Sequence, residues 1–295
     1  MAVLDKGIWY KNKEEQDLSV VDSFNLSEEI ETGRYHLYIS LACPFAHRPY
    51  LVISYLGLNN AISISSVAAK RYEDGWLFDN DYPDTLNSVS SLVELYQRSH
   101  PTYSGRVTVP VFWDKKQGEI VGNDSASMAI DFATNWLSLA NNPVQLNPKS
   151  KEEKINELNK WLHTHVNTGI YRVGFAPDQV SYDSASASLF KALDTLDDRL
   201  SKRKYLFGSE ITLSDLFLIP TLVRFEAVYE IHFKVNYKSM NKYKNLYRYM
   251  LDLLSISSIR ETIDMDYIKL HYYYSHRNIN PTGIVPAGPQ LPWYS

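Results

Sequence analysis

With 295 residues the chain is too long for one small core and fits two domains at about 150 residues each. Thirty Lys+Arg against 34 Asp+Glu leave a net charge of −4, so the charge balance calls for no nucleic-acid or anionic-membrane partner. A 44% hydrophobic and 22% charged composition excludes wholesale disorder. Apolar runs fall short of the ~18 residues of a membrane span and the first residues lack a signal-peptide core, so a cytoplasmic location is expected.

Residues 1–33 are polar and weakly patterned and read as an irregular lead-in. Tyr35 to Ser40 alternates and is rich in strand formers, so a strand is expected there. Pro44 then suits the first position of a helix that carries Tyr50, Leu51, Ile53, Tyr55 and Leu56 and stops at Gly57. Ala61 to Val67 makes a second strand, completing a βαβ unit. Residues 70–105 read as a long, loop-like insertion, a length that usually signals function or disorder. Strand chemistry resumes at Thr108 to Trp113, a turn follows at Lys115 to Gly118, and Glu119 to Val121 pairs back. Asn123-Asp124-Ser125 offers capping residues for a helix to about Ser138. This order, β-α-β-insertion-β-β-α, gives a thioredoxin-like α/β domain over 34–140.

Asn141 to about residue 150 reads as a linker. Beyond it, over 151–295, an all-helical domain is expected, with helices at 151–168, 179–201, 212–230 and 243–255. Thr212-Leu213-Ser214-Asp215 is a capping box, and Ile211 and Leu216 are spaced as a hydrophobic staple.

Cys43 is the single cysteine, which excludes an intramolecular disulfide and any Cys-rich metal site. Its place between a strand end and a helix start is one where backbone N–H groups stabilise a thiolate, so a nucleophilic thiol is the expected role. Val109-Pro110 opens a strand after the βαβ unit. That context favours a cis bond, although only about 5–6% of X–Pro bonds are cis in general. For Asp124 and Ser125, plain helix capping and a contact to the amino-acid end of a ligand stand equally open. His163 and His165, two apart on a helix, point in different directions, and His271 and His276 have no acidic cluster nearby, so no metal is expected.

Leu37 to Arg48, running through Cys43-Pro44-Phe45-Ala46-His47, resembles the active-site stretch of the glutathionyl-hydroquinone reductases, the Xi class of glutathione transferases. So do Gly75-Trp76, Gly105 to Val111, Gly169 to Ala176 and Leu222-Val223-Arg224-Phe225. In the tail, His271-Tyr272-Tyr273 and Asn278 to Ile284 are the pieces most specific to the family. The resemblance runs in order from about residue 31 to 290.

That resemblance implies the glutathione transferase architecture, a thioredoxin-like domain followed by an all-α domain. It also implies a reductase that removes glutathione, its co-substrate, from quinol thioethers. Cys43 would be the nucleophile. Trp76, Arg106, Val107, Thr108 and Val109 would line the glutathione site, and Asp124 and Ser125 would hold the γ-glutamyl end. Tyr171 and Tyr272 would act on the quinol, and Tyr229 would help to lower the cysteine pKa. A homodimer through the helical domain is implied too. Tyrosine supplies 22 of the side chains, so packing is the default for each one, and family motifs alone lift Tyr171 and Tyr272 above the rest. The chain departs from the family pattern in Phe45, where Trp is usual, in Asp124, where Glu is usual and reaches one methylene further, and in a shorter lead-in. Two other readings carry weight. An omega-like thioltransferase or dehydroascorbate reductase would not need Tyr171 and Tyr272, and a transferase-fold binding module would not need Cys43.

Overall fold

The computed structural model describes residues 2–18, 20–26 and 29–294, and the chain divides into two units between Asn142 and Pro143. Ser19, Ser27 and Glu28 of the lead-in, with Met1 and Ser295, lie outside the described residues. The first unit opens not on an irregular lead-in but on a small hairpin, Val3–Asp5 (β1) and Ile8–Tyr10 (β2). Lys6 and Gly7 turn it with positive φ, the geometry that matches strand twist in a two-residue connection. Leu4 bridges to Gly105, so the lead-in belongs to the first unit through pairing with residues about a hundred positions away.

The main sheet runs Ile62–Ser66 (β4), Tyr35–Ile39 (β3), Val111–Asp114 (β5), Glu119–Gly122 (β6) in spatial order. The β3–β4 pair is parallel and the other pairs are antiparallel. Between β3 and β4 lies His47–Leu56 (α1), ended by Gly57 in the left-handed conformation. The insertion is not all loop. Leu92–Ser99 (α2) is a helix within it, capped by Ser91, whose side chain accepts the Glu94 N–H at 3.2 Å, while Glu94 reaches back to the Ser90 N–H at 2.7 Å. Asp84 fastens the insertion to the sheet, accepting from Tyr38 Oη at 2.8 Å and from the backbone N–H groups of Leu86, Asn87 and Val89. Ser125–Thr134 (α3) follows β6 and ends four residues before the expected Ser138.

The second unit is helical. Glu152–Leu162 (α4) passes into a π turn at His163–Asn167, then Gly169–Gly174 (α5) and Gln179–Leu200 (α6) follow. Leu213–Val223 (α7) starts at the expected capping box, with the buried Asp215 carboxylate accepting the Thr212 N–H at 2.8 Å. The helix expected over 212–230 runs through Pro220 and is interrupted after Val223, where Arg224 gives way to a second π turn, Phe225–Tyr229, before the short Glu230–His232 (α8). Lys244–Leu254 (α9), Ser257–Arg260 (α10) and Met265–Ser275 (α11) complete the unit. Helices α5, α10 and α11 were not anticipated. The last has the cap Asp264, whose side chain accepts the Tyr267 N–H at 2.9 Å, but its tyrosine-rich face hides the apolar period.

Candidate active site

Strand β3 ends at Ile39, and a turn closed by the Cys43 N–H donating to Ser40 O at 3.0 Å presents Cys43 beyond its carboxyl end. The helix begins at His47, not at Pro44, and its cap falls at Ala46 rather than at Cys43, because residues 43–46 form a turn tightened by a three-residue bond from Arg48 N to Phe45 O at 3.1 Å. Cys43 nevertheless performs a cap's work. Its carbonyl accepts the His47 N–H at 3.0 Å, and its sulfur lies 3.5 Å from the Ala46 N–H donor. Negative charge on the sulfur is therefore met by backbone N–H at a helix start.

Trp76 is buried and clamped from both sides. Its carbonyl accepts the Leu92 N–H at 2.9 Å, and the next residue, Leu77, takes the Ala68 N–H at 2.8 Å. The Val109-Pro110 bond is cis and leads into β5. Tyr96 Oη donates to Thr108 O at 3.2 Å, holding the backbone just before that bond, with Val107 and Val109 buried on either side. Arg106, exposed, is ion-paired through Nε to Glu15 of the lead-in at 2.6 Å. Asp124 caps α3, accepting the Ser127 N–H at 2.7 Å, and Ser125 is the buried first residue of that helix. Capping thus accounts for one Asp124 oxygen.

In the second unit Tyr171 on α5, Tyr229 on the π turn and Tyr272 on α11 meet. Tyr272 Oη lies 2.6 Å from Tyr171 Oη and 3.4 Å from Tyr229 Oη. The π turn sets this meeting. Arg224 O accepts from both Val228 N (3.0 Å) and Tyr229 N (3.2 Å), the widened spacing that re-aims Tyr229 inward. Phe233 packs against all three rings at 5.5 to 5.8 Å, and Phe175, one turn beyond Tyr171, stacks parallel to it at 6.4 Å while staying 42% exposed. Burial pushes the Tyr272 phenol well above the ordinary tyrosine range and Tyr229 adds to the shift, while Arg224 and the Tyr171 hydrogen bond oppose it. A phenol held protonated at neutral pH is a hydrogen-bond donor, and a chain of three can pass a proton along. Among the described residues no cluster of His, Cys, Asp and Glu suits a metal ion.

A family model described as the glutathione S-transferase C-terminal domain matches residues 179–251. Over 263 residues the chain is 44% identical to the glutathionyl-hydroquinone reductase YqjG of Escherichia coli K12, covering 88% of this chain and 80% of that protein. The chain belongs to the glutathionyl-hydroquinone reductases. The reductase PcpF of Sphingobium chlorophenolicum is 40% identical over 89% of this chain and 85% of its own. An Xi-class transferase structure from Natrialba magadii superposes with a TM-score of 0.95 at 38% identity, covering 100% and 95% of the two chains. The glutathione-bound structure of YqjG gives a TM-score of 0.91 at 38% identity, covering 99% and 97%. This member of the family therefore has the transferase fold, a mixed sheet followed by a helical region.

Several groups beside the candidate residues of each unit were not singled out in the sequence. Arg224, wholly buried, donates through Nη1 to Pro220 O at 2.7 Å, and its charge bears on Tyr272. It lies in the Leu222–Phe225 motif, which was a signal of identity but not of role. Phe175 and Phe233 left only helical spacing as a trace. Arg71 left none, since it sits in the insertion and acquires neighbours only through the tertiary fold.

Proposed function

We propose that the chain reduces glutathionyl-hydroquinones with glutathione as co-substrate, through a mixed disulfide on Cys43. The observation that carries this is the pairing of the Tyr171 and Tyr272 phenols, which a simple thiol–disulfide exchanger has no use for, and in this reading Tyr229 helps to lower the cysteine pKa. The quinol thioether reacts as its keto tautomer, in which a proton has moved from a ring hydroxyl to the carbon bearing sulfur. One phenol of the pair Tyr171–Tyr272 moves that proton and the other donates a hydrogen bond to the ketone oxygen. The Cys43 thiolate attacks the glutathionyl sulfur, an S–S bond forms and the C–S bond breaks. The released electron pair restores the aromatic ring, and the ketone oxygen becomes a phenolate that takes up a proton as the hydroquinone departs. A second glutathione, as its thiolate, attacks the mixed disulfide, giving glutathione disulfide and the Cys43 thiolate.

In this reading Trp76, Arg106 and the backbone of Val107, Thr108 and Val109 hold glutathione, with Asp124 and Ser125 at its γ-glutamyl end. The scheme needs a supply of reduced thiol, so the enzyme works in the cytosol, and the chain forms a homodimer through its helical unit. Light scattering at micromolar concentration checks the dimer. Catalysis is tested by turnover of glutathionyl-menadiol with excess glutathione, using the parent and Cys43→Ala. The expected result is hydroquinone release and a mass gain of one glutathionyl group on the parent, with neither on the variant. A parent that exchanges simple mixed disulfides but releases no hydroquinone contradicts the reading and leaves a general thioltransferase.

A further inference from the structure

The parallel neighbours β3 and β4 end side by side, and the Val67 N–H donates to Ile39 O at 2.9 Å where both strands stop. Cys43 follows from one strand and residues 68–77 follow from the other, so both emerge at the carboxyl end of the parallel pair, where α/β sheets bind ligands. Residues 68–77 fold back on themselves. The Gly75 N–H donates to Tyr72 O at 3.0 Å, Tyr72 pairs with Gly75, and Gly75 takes a positive φ of 89°. In such a turn the next pair outward, Arg71 and Trp76, projects from one face. The Arg71 guanidinium lies 4.9 Å from the Trp76 ring centroid, a cation–π distance.

We propose that Arg71, braced against Trp76, is a positioning residue that supplies a fixed positive charge to the Cys43 thiolate. The proposal rests on the reading of Cys43 as a nucleophile and adds a second source of thiolate stabilisation to the Ala46 N–H. Burial moves the Arg71 guanidinium down from the ordinary arginine range, and the Cys43 sulfur opposes that move. Other titratable side chains lie on the elements that carry Cys43 and Arg71. On α1 they are His47 and Arg48, both buried, and Tyr50; Arg48 lies over Phe45 at 4.9 Å. On the turn they are Lys70, Tyr72, Glu73 and Asp74, and the two acids are ion-paired to Lys11 at 3.5 and 2.9 Å. Arg106, just before the cis proline, is paired to Glu15. Guanidinium is suited to the task because it stays charged when partly buried and stacks on indole, which an ammonium does less well.

The test is the rate of Cys43 alkylation by iodoacetamide as a function of pH, in the reduced full chain without glutathione, for the parent, Arg71→Gln and Arg71→Lys. Arg71→Gln is expected to move the inflection upward, so that alkylation at pH 6 falls about tenfold while the limiting rate at high pH is unchanged. Arg71→Lys is expected to restore most of the shift. An unmoved inflection in Arg71→Gln overturns the proposal, and so does a rate lowered equally at every pH, which is the mark of lost packing. Turnover of glutathionyl-menadiol is measured separately. A parent that alkylates normally but releases no hydroquinone removes the reductase reading and leaves the Arg71 result standing.

Discussion

The two units position their candidate functional groups by different physical means. In the first, position is set by backbone: a turn and helix start at Cys43, a pair of β-bridges around Trp76, a cis bond before Pro110, and a cap at Asp124. In the second, position is set by side-chain packing, with three phenols gathered by a π turn and braced by Phe233. Backbone suits a site that must hold a peptide-like thiol, whose own N–H and C=O groups need partners. A buried aromatic cluster suits proton handling on a ring, because low polarity keeps phenols protonated and strengthens their hydrogen bonds.

The sharpest way to break this comparison is to remove hydroxyls without removing rings. Tyr171→Phe combined with Tyr272→Phe is expected to lower hydroquinone release by about 10³, within the usual range for general acid–base groups, with thermal stability little changed. Next comes packing. A Cβ at Gly174 would stand 2.3 Å from Phe233 Cγ, so Gly174→Ala must displace that ring from the phenols. The expected cost is about 1–3 kcal/mol in denaturant unfolding, with a parallel fall in turnover.

Asp124 separates cap from ligand in the first unit. Asp124→Ala removes the 2.7 Å bond to Ser127 N and is expected to cost about 1 kcal/mol, whereas Asp124→Asn keeps a good cap and costs little. If the carboxylate holds the γ-glutamyl amine, both variants raise KM for glutathione, and Asn does so without the loss of stability.

Each unit also carries a histidine that burial holds neutral, His36 between Ser63 and Ser65, and His232 beside His276, both pushed down to about 4. Their folded values lie below the unfolded value of about 6.5, so the unfolded chain binds more protons between those limits. The stability they contribute is complete above pH 6.5 and declines as pH falls from 6.5 toward 4. His36→Gln should flatten that decline, measured by urea unfolding at pH 7 and pH 5. The smallest effect is expected from Glu15→Gln, which frees the exposed Arg106 from its partner. KM for glutathione should fall less than about threefold, as befits a surface ion pair.

What the sequence made legible followed from local patterns: the alternation of β3, the Gly57 stop and the Thr212–Asp215 capping box all appear in the structure, whereas the helix expected from Pro44 begins three residues later. The rest depends on contacts made across long distances. Strands β1 and β2 are three residues each, too short to show a period, and are tied down by Leu4 pairing with Gly105. The caps of α2 and α11 were readable at Ser91 and Asp264, but polar and tyrosine-rich surroundings masked the helices behind them. The three tyrosines could be named only through family motifs, since 101 residues separate Tyr171 from its partner Tyr272. Arg71 could not be named at all without the turn that places it on Trp76.

The central claim is that sulfur capture and proton handling are separate tasks of separate groups, and Tyr272→Phe tests it most directly. The measurement is the rate of Cys43 glutathionylation, followed by intact mass, from two donors: glutathione disulfide and glutathionyl-menadiol. The account predicts that Tyr272→Phe matches the parent with the disulfide and is slowed about 100-fold with the quinol thioether. Equal slowing with both donors, or with neither, would contradict it.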